Sequence, residues 1–189
     1  PSRGVWPTCV IAVKPIDAKI INFIGRIQKN GVKAVTIVGF SPALPSIKSL
    51  NFLPNVLGKM EAKSKGAYEG IFTGSDGYAL EGTSTNLFIV KKNRLLTPPA
   101  FNALGKNGAL PGVMRAAVIK KAKTLGIPFK EARIKKTDLL SCAEAFLTNS
   151  IIEAVPLIAV DGCRINAGKP GRITRMIQNG LMPRITKHP

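Results

Sequence analysis

Along the chain, apolar positions switch between a period near two and a period near 3.6, and the switches predict the elements. "TCVIAVK" near the start reads as a strand. The segment from Asp17 to Lys29 reads as a helix, with Ile20, Ile21, Phe23, Ile24 and Ile27 forming a stripe that ends at Asn30-Gly31. The β-branched run "KAVTIVGF" follows and turns at "SPALPS". Residues 50 to 65 return to the helical period: Leu50, Leu53, Val56, Leu57 and Met60 recur on one face, Pro54 lies in a tolerant first turn, and Gly66 closes the segment.

Short runs then follow one another, "GAYEGIFTG", "YALEGTST", "NLFIVKK" and "RLLTP", with "SDG" and other turn residues at the reversals, and they predict an antiparallel meander. A helix from Gly112 to Leu125, stopped by Gly126, precedes a strand "FKEARIK" and a short helix "KTDLLSC" opened by Thr137. "EAFLTNSIIEAVPLIAVDGC" reads as two strands broken at "TNS", and residues 170 to 182 as a last helix. Mixed strands with helices outside them indicate an α+β fold with a barrel-like sheet.

Composition adds size and setting. With 189 residues, 45% hydrophobic content and a mean hydropathy of +0.14, the chain can bury a substantial core, and one domain is the default. No apolar run reaches the roughly 20 residues that span a bilayer, and the opening lacks the regions of a signal peptide, so a soluble protein is expected. Three widely spaced cysteines, Cys9, Cys142 and Cys163, with a single histidine, His188, argue against a cysteine/histidine zinc centre. No metal is expected, and a reducing, cytoplasmic setting fits.

The balance of 28 Lys+Arg against 10 Asp+Glu gives a net charge of +18, which raises nucleic acid as a partner. The basic residues are dispersed, aromatics are only 6%, and no RRM motif, KH loop or zinc finger is present. A surface suited to small anions is the simpler expectation.

The candidate chemistry is narrow. His188 stands in the tail, which leaves no support for a Ser-His-Asp or Cys-His mechanism, and neither a P-loop nor a G-x-G-x-x-G is present. What remains is Lys48 where a turn meets an amphipathic helix, an amine that partial desolvation could activate. Glu81 is the only acid in "GYALEGTSTNLFIV", and "ALPGVMRAAV" places Gly112 at a helix start, with the Val113 and Met114 N–H groups free for a phosphate. The turn "LTNS", Leu147 to Ser150, could add donors. An amine, a buried carboxylate and phosphate cradles are what pyridoxal 5'-phosphate requires. Each also has a plain structural reading: a solvated lysine, a hairpin corner, a helix cap, and Thr148, Asn149 and Ser150 as backbone partners at a strand break.

In order, "SIKSLNFLPNVLGKMEAKSKGAYEGIF", "LEGTSTNLFIV", "LPGVMR", "AFLTNSIIEAVPLIAVDG" and "GKPGRITRMIQ" resemble the class IV, fold-type IV pyridoxal-phosphate enzymes. That group contains D-amino-acid and branched-chain aminotransferases and 4-amino-4-deoxychorismate lyase. The resemblance runs from about residue 44 to 181 and implies the D-amino-acid aminotransferase-like fold, an α/β pseudo-barrel of mixed sheet surrounded by helices. It also implies that Lys48 is the Schiff-base lysine and Glu81 the partner of the pyridine nitrogen. Leu110 would pack on the ring face. Gly112, Val113, Met114, Asn149 and Ser150 would surround the phosphate, and Ser84 and Asn86 would organise the cofactor side.

Many transaminases of the group carry "GITR" where this chain has "GVMR", so Met114 stands in place of a threonine hydroxyl. That difference resembles the lyase branch, which releases pyruvate to leave 4-aminobenzoate for folate biosynthesis. Transamination of a D- or branched-chain amino acid is the alternative, and a basic anion- or nucleic-acid-binding module without catalysis the alternative of another class. The implied organisation is a first strand and connecting helix over residues 1–43, after a missing small N-terminal domain, a cofactor-binding large domain over 44–183 and a basic tail over 184–189. The helix at 17 to 29 departs from the group's looser connection. A homodimer acting on a small amino-acid-like substrate is expected, with no membrane or nucleic-acid partner.

Overall fold

The computed structural model describes Gly4, Trp6 and residues 8–42, 47–100 and 108–181. The turn predicted at "SPALPS" lies mostly outside the described residues, and the tail with His188 lies wholly outside them.

The first predicted strand does not form: residues 8 to 16 pair with no strand among the described residues, and Val10, Ile11 and Val13 are exposed. A β-prone sequence needs cross-strand partners and a surface to cover, and here it has neither. Helix α1 (Ala18–Asn30) is capped by the Asp17 side chain, which accepts from the Lys19 N–H at 2.7 Å. Strand β1 (Val32–Ile37) follows.

Helix α2 (Leu53–Ser64) has the predicted period but the opposite orientation. Leu53, Val56, Leu57 and Met60 are exposed, while Gly58 and Ala62 are buried. The small residues face the sheet because they let the helix backbone come close to it.

Strands β2 (Glu69–Thr73), β3 (Tyr78–Gly82), β4 (Asn86–Lys91) and β5 (Arg94–Thr97) are where the turns predict them. They do not form one meander. β2 pairs with β3 and β4 with β5, both antiparallel, but β4's other neighbour is a later strand. Helix α3 (Val113–Thr124) starts at Gly112 as expected. "FKEARIK" is not one strand but two, β6 (Phe129–Glu131) and β7 (Ile134–Lys135), which reach opposite edges of the sheet. The remaining described elements are α4 (Lys136–Leu140), β8 (Glu144–Asn149), β9 (Glu153–Val160), the short β10 (Cys163–Arg164) and α5 (Arg172–Leu181).

The strand order is β6-β5-β4-β8-β9-β1-β2-β3-β7, with β10 on β9. β1 runs parallel to both β2 and β9, so the sheet is mixed. β3 and β4 stand five strand spacings apart in this order, roughly 24 Å in a flat sheet. Thr83, Ser84 and Thr85 alone connect them, and such a link reaches at most about 14 Å. The sheet must therefore curl until β3 and β4 come together, which produces the pseudo-barrel. One core fills the curl, with Ile71, Leu87, Ile89, Leu147, Val155 and Leu157, and a second packs the other face under α3 and α5, with Phe88 and Phe146 stacked at 4.9 Å. Among the described residues no helix is long and apolar enough to cross a membrane.

Candidate cofactor site

The seam where the curl closes, between β3, β4 and α3, gathers most of the residues singled out by the sequence. Three of the ten acidic residues, Glu69, Glu81 and Glu144, are buried. Glu81 owes its direction to a β-bulge. Ile71 pairs with Gly82 and Thr73 with Ala79, so Leu80 and Glu81 together stand opposite Phe72. The extra residue interrupts the in-and-out alternation of β3 and turns Glu81 toward Asn86, the first residue of β4.

Glu81 Oε2 accepts from the Leu110 N–H at 2.8 Å and from Asn86 Nδ2 at 3.1 Å. Oε1 accepts no hydrogen bond from the described residues. Burial pushes the Glu81 carboxyl up to about 7, against the lowering effects of the Leu110 N–H, the Arg115 and Lys48 cations and the Asn86 amide. A buried carboxylate with one oxygen unengaged by the described residues is placed to receive a positive N–H donor.

Asn86 also donates to the Leu110 carbonyl at 2.9 Å, locking the approach to α3. A Cβ at Gly112 would stand 2.1 Å from Asn86 Oδ1, so only glycine allows this approach. Beyond it, α3 begins with no side-chain cap, and the N–H groups of Val113 and Met114 have no partner among the described residues. Val113 is 80% exposed and Met114 half-buried, so this helix end is open to an anion. Leu110, expected on a ring face, is half-buried and contributes both of its backbone polar groups.

Lys48 precedes α2 and is exposed rather than partly desolvated. Its Nζ lies 5.2 Å from the centroid of the Phe52 ring, and its field reaches Glu81. Ser84 points its hydroxyl away from Glu81, onto Glu69 Oε2 at 2.9 Å. Asn149 shapes the turn after β8: its Oδ1 accepts from the N–H groups of Ile151 and Ile152 at 2.9 Å, and its Nδ2 donates to the Ser84 carbonyl at 3.0 Å. Ser150 is exposed beside it.

Arg115, Glu69 and Glu144 escape the sequence reading, and Thr148 enters it only as part of the "LTNS" turn. Arg115, buried at 5% exposure, donates to the Pro98 carbonyl at 3.0 Å and pairs with Glu131 at 3.2 Å. Thr148 stands opposite Asn86 in the β4–β8 ladder with its buried Oγ1 unpartnered among the described residues. Glu69 anchors the turn that carries Ser84. Glu144 accepts from the N–H groups of Ile173 and Thr174 at 2.9 and 2.8 Å, and from Thr174 Oγ1 at 2.8 Å, closing the start of α5. An acid inside a strand that otherwise reads as buried is the signal that marks Glu69 and Glu144.

Residues 23–160 match the family described as amino-transferase class IV. The chain belongs to that family. Among the proteins that this class IV aminotransferase chain resembles, D-alanine aminotransferase of Bacillus licheniformis is 34% identical over 154 residues, covering 82% of this chain and 52% of that protein. The solved branched-chain amino acid aminotransferase of Escherichia coli aligns with a TM-score of 0.72 at 33% identity, over 81% of this chain and 51% of that one. The solved fold IV-transaminase of Curtobacterium pusillum aligns with a TM-score of 0.68 at 27% identity, over 80% and 51% of the two chains. The chain spans about half the length of the relatives it matches. The mixed, curled sheet with outer helices is the α+β fold of these transaminases.

The side chains suit pyridoxal 5'-phosphate. Glu81 Oε1 and the first turn of α3 supply an acceptor for a ring N–H and donors for a phosphate, and Lys48 supplies an accessible amine.

Proposed function

We propose that this chain is the cofactor-binding part of a pyridoxal-phosphate-dependent aminotransferase acting on a small amino acid. The observation that carries the proposal is Glu81, a buried carboxylate held by two donors on one oxygen, with no donor to the other among the described residues, beside an uncapped helix start. Pyridoxal 5'-phosphate, when bound, supplies an electron-withdrawing ring that takes up the electron pair left when a bond to the substrate α-carbon breaks. Glu81 accepts the ring N–H and keeps that proton in place. The N–H groups of Val113 and Met114 hold the phosphate, helped by the α3 dipole, with Asn149 and Ser150 near the second turn. Lys48 is the amine that would hold the cofactor and, when free of it, its Nζ would take up and return the proton of the substrate α-carbon.

The named relatives support transamination, of D-alanine or of branched-chain amino acids, as the reaction. A second reading, the elimination of pyruvate from 4-amino-4-deoxychorismate, rests on Met114, which leaves only the backbone to hold a phosphate at that position. A homodimer with a small domain over the site completes the proposal.

The test is chemical. Protein loaded with pyridoxal 5'-phosphate and reduced with borohydride carries the pyridoxyl adduct on Lys48, and Lys48→Ala does not. No adduct on Lys48 ends the proposal. The intact protein is then assayed with D-alanine or a branched-chain amino acid plus 2-oxoglutarate, against aminodeoxychorismate alone. Release of 4-aminobenzoate without amino-group exchange selects the second reading.

A further inference from the structure

We propose that Glu69 is a positioning residue for this site, a buried carboxylate that holds the helix after Lys48 and the turn between Glu81 and Asn86 in one fixed relation. Glu69 has no exposed surface, yet five donors converge on it. Oε1 accepts from the Gly70 N–H at 3.0 Å, from Thr83 Oγ1, and from Lys59 Nζ of α2 at 3.4 Å. Oε2 accepts from Ser84 Oγ at 2.9 Å and Thr85 Oγ1 at 3.3 Å. Asn55 of α2 adds a parallel tie, donating to the Thr83 carbonyl at 2.6 Å.

The residues tied are those that separate the two arms of the site. Thr83, Ser84 and Thr85 are the whole link between Glu81's strand and Asn86, and α2 starts just after Lys48. The Gly82 N–H donates to the Thr85 carbonyl at 2.7 Å and the Thr83 N–H to the Gly70 carbonyl at 2.9 Å, so the link is tight. For stability alone, a buried charged group is matched or surpassed by well-packed apolar side chains. A carboxylate with both oxygens saturated does something different: its directional bonds admit one arrangement of the loop and helix. Through that arrangement Glu69 keeps water from Glu81 and keeps Asn86 on it.

The inference rests on Lys48 and Glu81 being the working pair, and its test separates the two claims. Side-chain carboxyl titration by 13C NMR on the ligand-free protein, with the Glu81 signal assigned by Glu81→Gln, reads the site without cofactor. The cations facing Glu81 are Arg115 of α3 and Lys48, and neither is substituted in the variants. In Glu69→Gln the Glu81 titration moves down from about 7 toward the ordinary carboxylate range, and in Thr85→Val it moves less in the same direction. A Glu81 titration that stays in place in these folded variants, with only the unfolding midpoint lowered, overturns the proposal. Thr85→Val and Lys59→Met each remove one donor and leave the carboxylate, so they decide the matter even where Glu69→Gln fails to fold. Failure of the cofactor proposal shows elsewhere, as a missing Lys48 adduct in the unaltered protein.

Discussion

Two helices of this chain begin in nearly the same way and end up with opposite uses. α3 and α5 each follow a glycine with no room for a side chain: a Cβ at Gly112 would meet Asn86 Oδ1 at 2.1 Å, and one at Gly171 would meet Glu144 Cδ at 1.9 Å. Each has a buried glutamate nearby. At α5, Glu144 turns its carboxylate onto the helix and accepts the Ile173 and Thr174 N–H groups, so the chain supplies its own anion. At α3, Glu81 accepts the Leu110 N–H ahead of the helix, an asparagine amide occupies the close approach, and the first-turn donors have no partner among the described residues. One helix start is closed by the chain itself; the other has donors without a partner among the described residues, which is where the proposed phosphate would sit.

The difference can be attacked from both sides. The largest effect is expected at the closed end: Glu144→Ala strands two helix N–H groups and the Thr174 hydroxyl, and lowers stability by about 4 kcal/mol, read from urea midpoints. A loss smaller than about 1 kcal/mol would make the two ends equivalent after all.

At the open end the effect is one of pH. Glu81 titrates near 7 in the folded chain against an ordinary value of 4.5, so between those values the folded state binds more protons than the unfolded one. Its contribution to stability is complete below pH 4.5, and is lost as pH rises through about 7, roughly 3 kcal/mol in all. Midpoints measured at pH 4.5 and 8 should show this fall, and Glu81→Gln should remove it.

The glycines give the next contrast. Gly112→Ala displaces Asn86 and weakens pyridoxal-phosphate binding about tenfold, about 1.4 kcal/mol, in a fluorescence titration. Gly171→Ala lowers the unfolding midpoint and spares that affinity. The smallest effect is the most local: inorganic phosphate should shift the amide resonances of Val113 and Met114 and leave those of Ile173 and Thr174 where they are. Equal shifts at both ends would erase the distinction.

The open end was the legible one. Lys48, Glu81 and Gly112 stand out in the sequence because a cofactor site would need particular residue types at such positions, and their order along the chain carries the family resemblance. Glu144 and Glu69 stay hidden because their meaning lies in partners 29 and 15 positions away. Periodicity located α2 but not the face it presents, since an apolar stripe does not say which surface covers it and Gly58 and Ala62 carry no such signal. The "TCVIAVK" strand failed because propensity without a partner makes no ladder, and the continuous meander failed because a tight link between β3 and β4 reads the same whether the strands pair or the sheet curls around to join them.

That curl has a consequence for how the molecule is made. β1 lies in the middle of the sheet, between β2 and a strand from near the chain's end, and Thr36 is bonded to Asp161 across 125 positions. Contacts of such high order are costly to close and set a slow folding rate. During synthesis β1 must wait, one edge unsatisfied, until β9 has left the ribosome. The seam that joins β3 to β4 is completed only after that strand docks. A ligand held at the seam would therefore meet a finished barrel and add its binding free energy to the folded state.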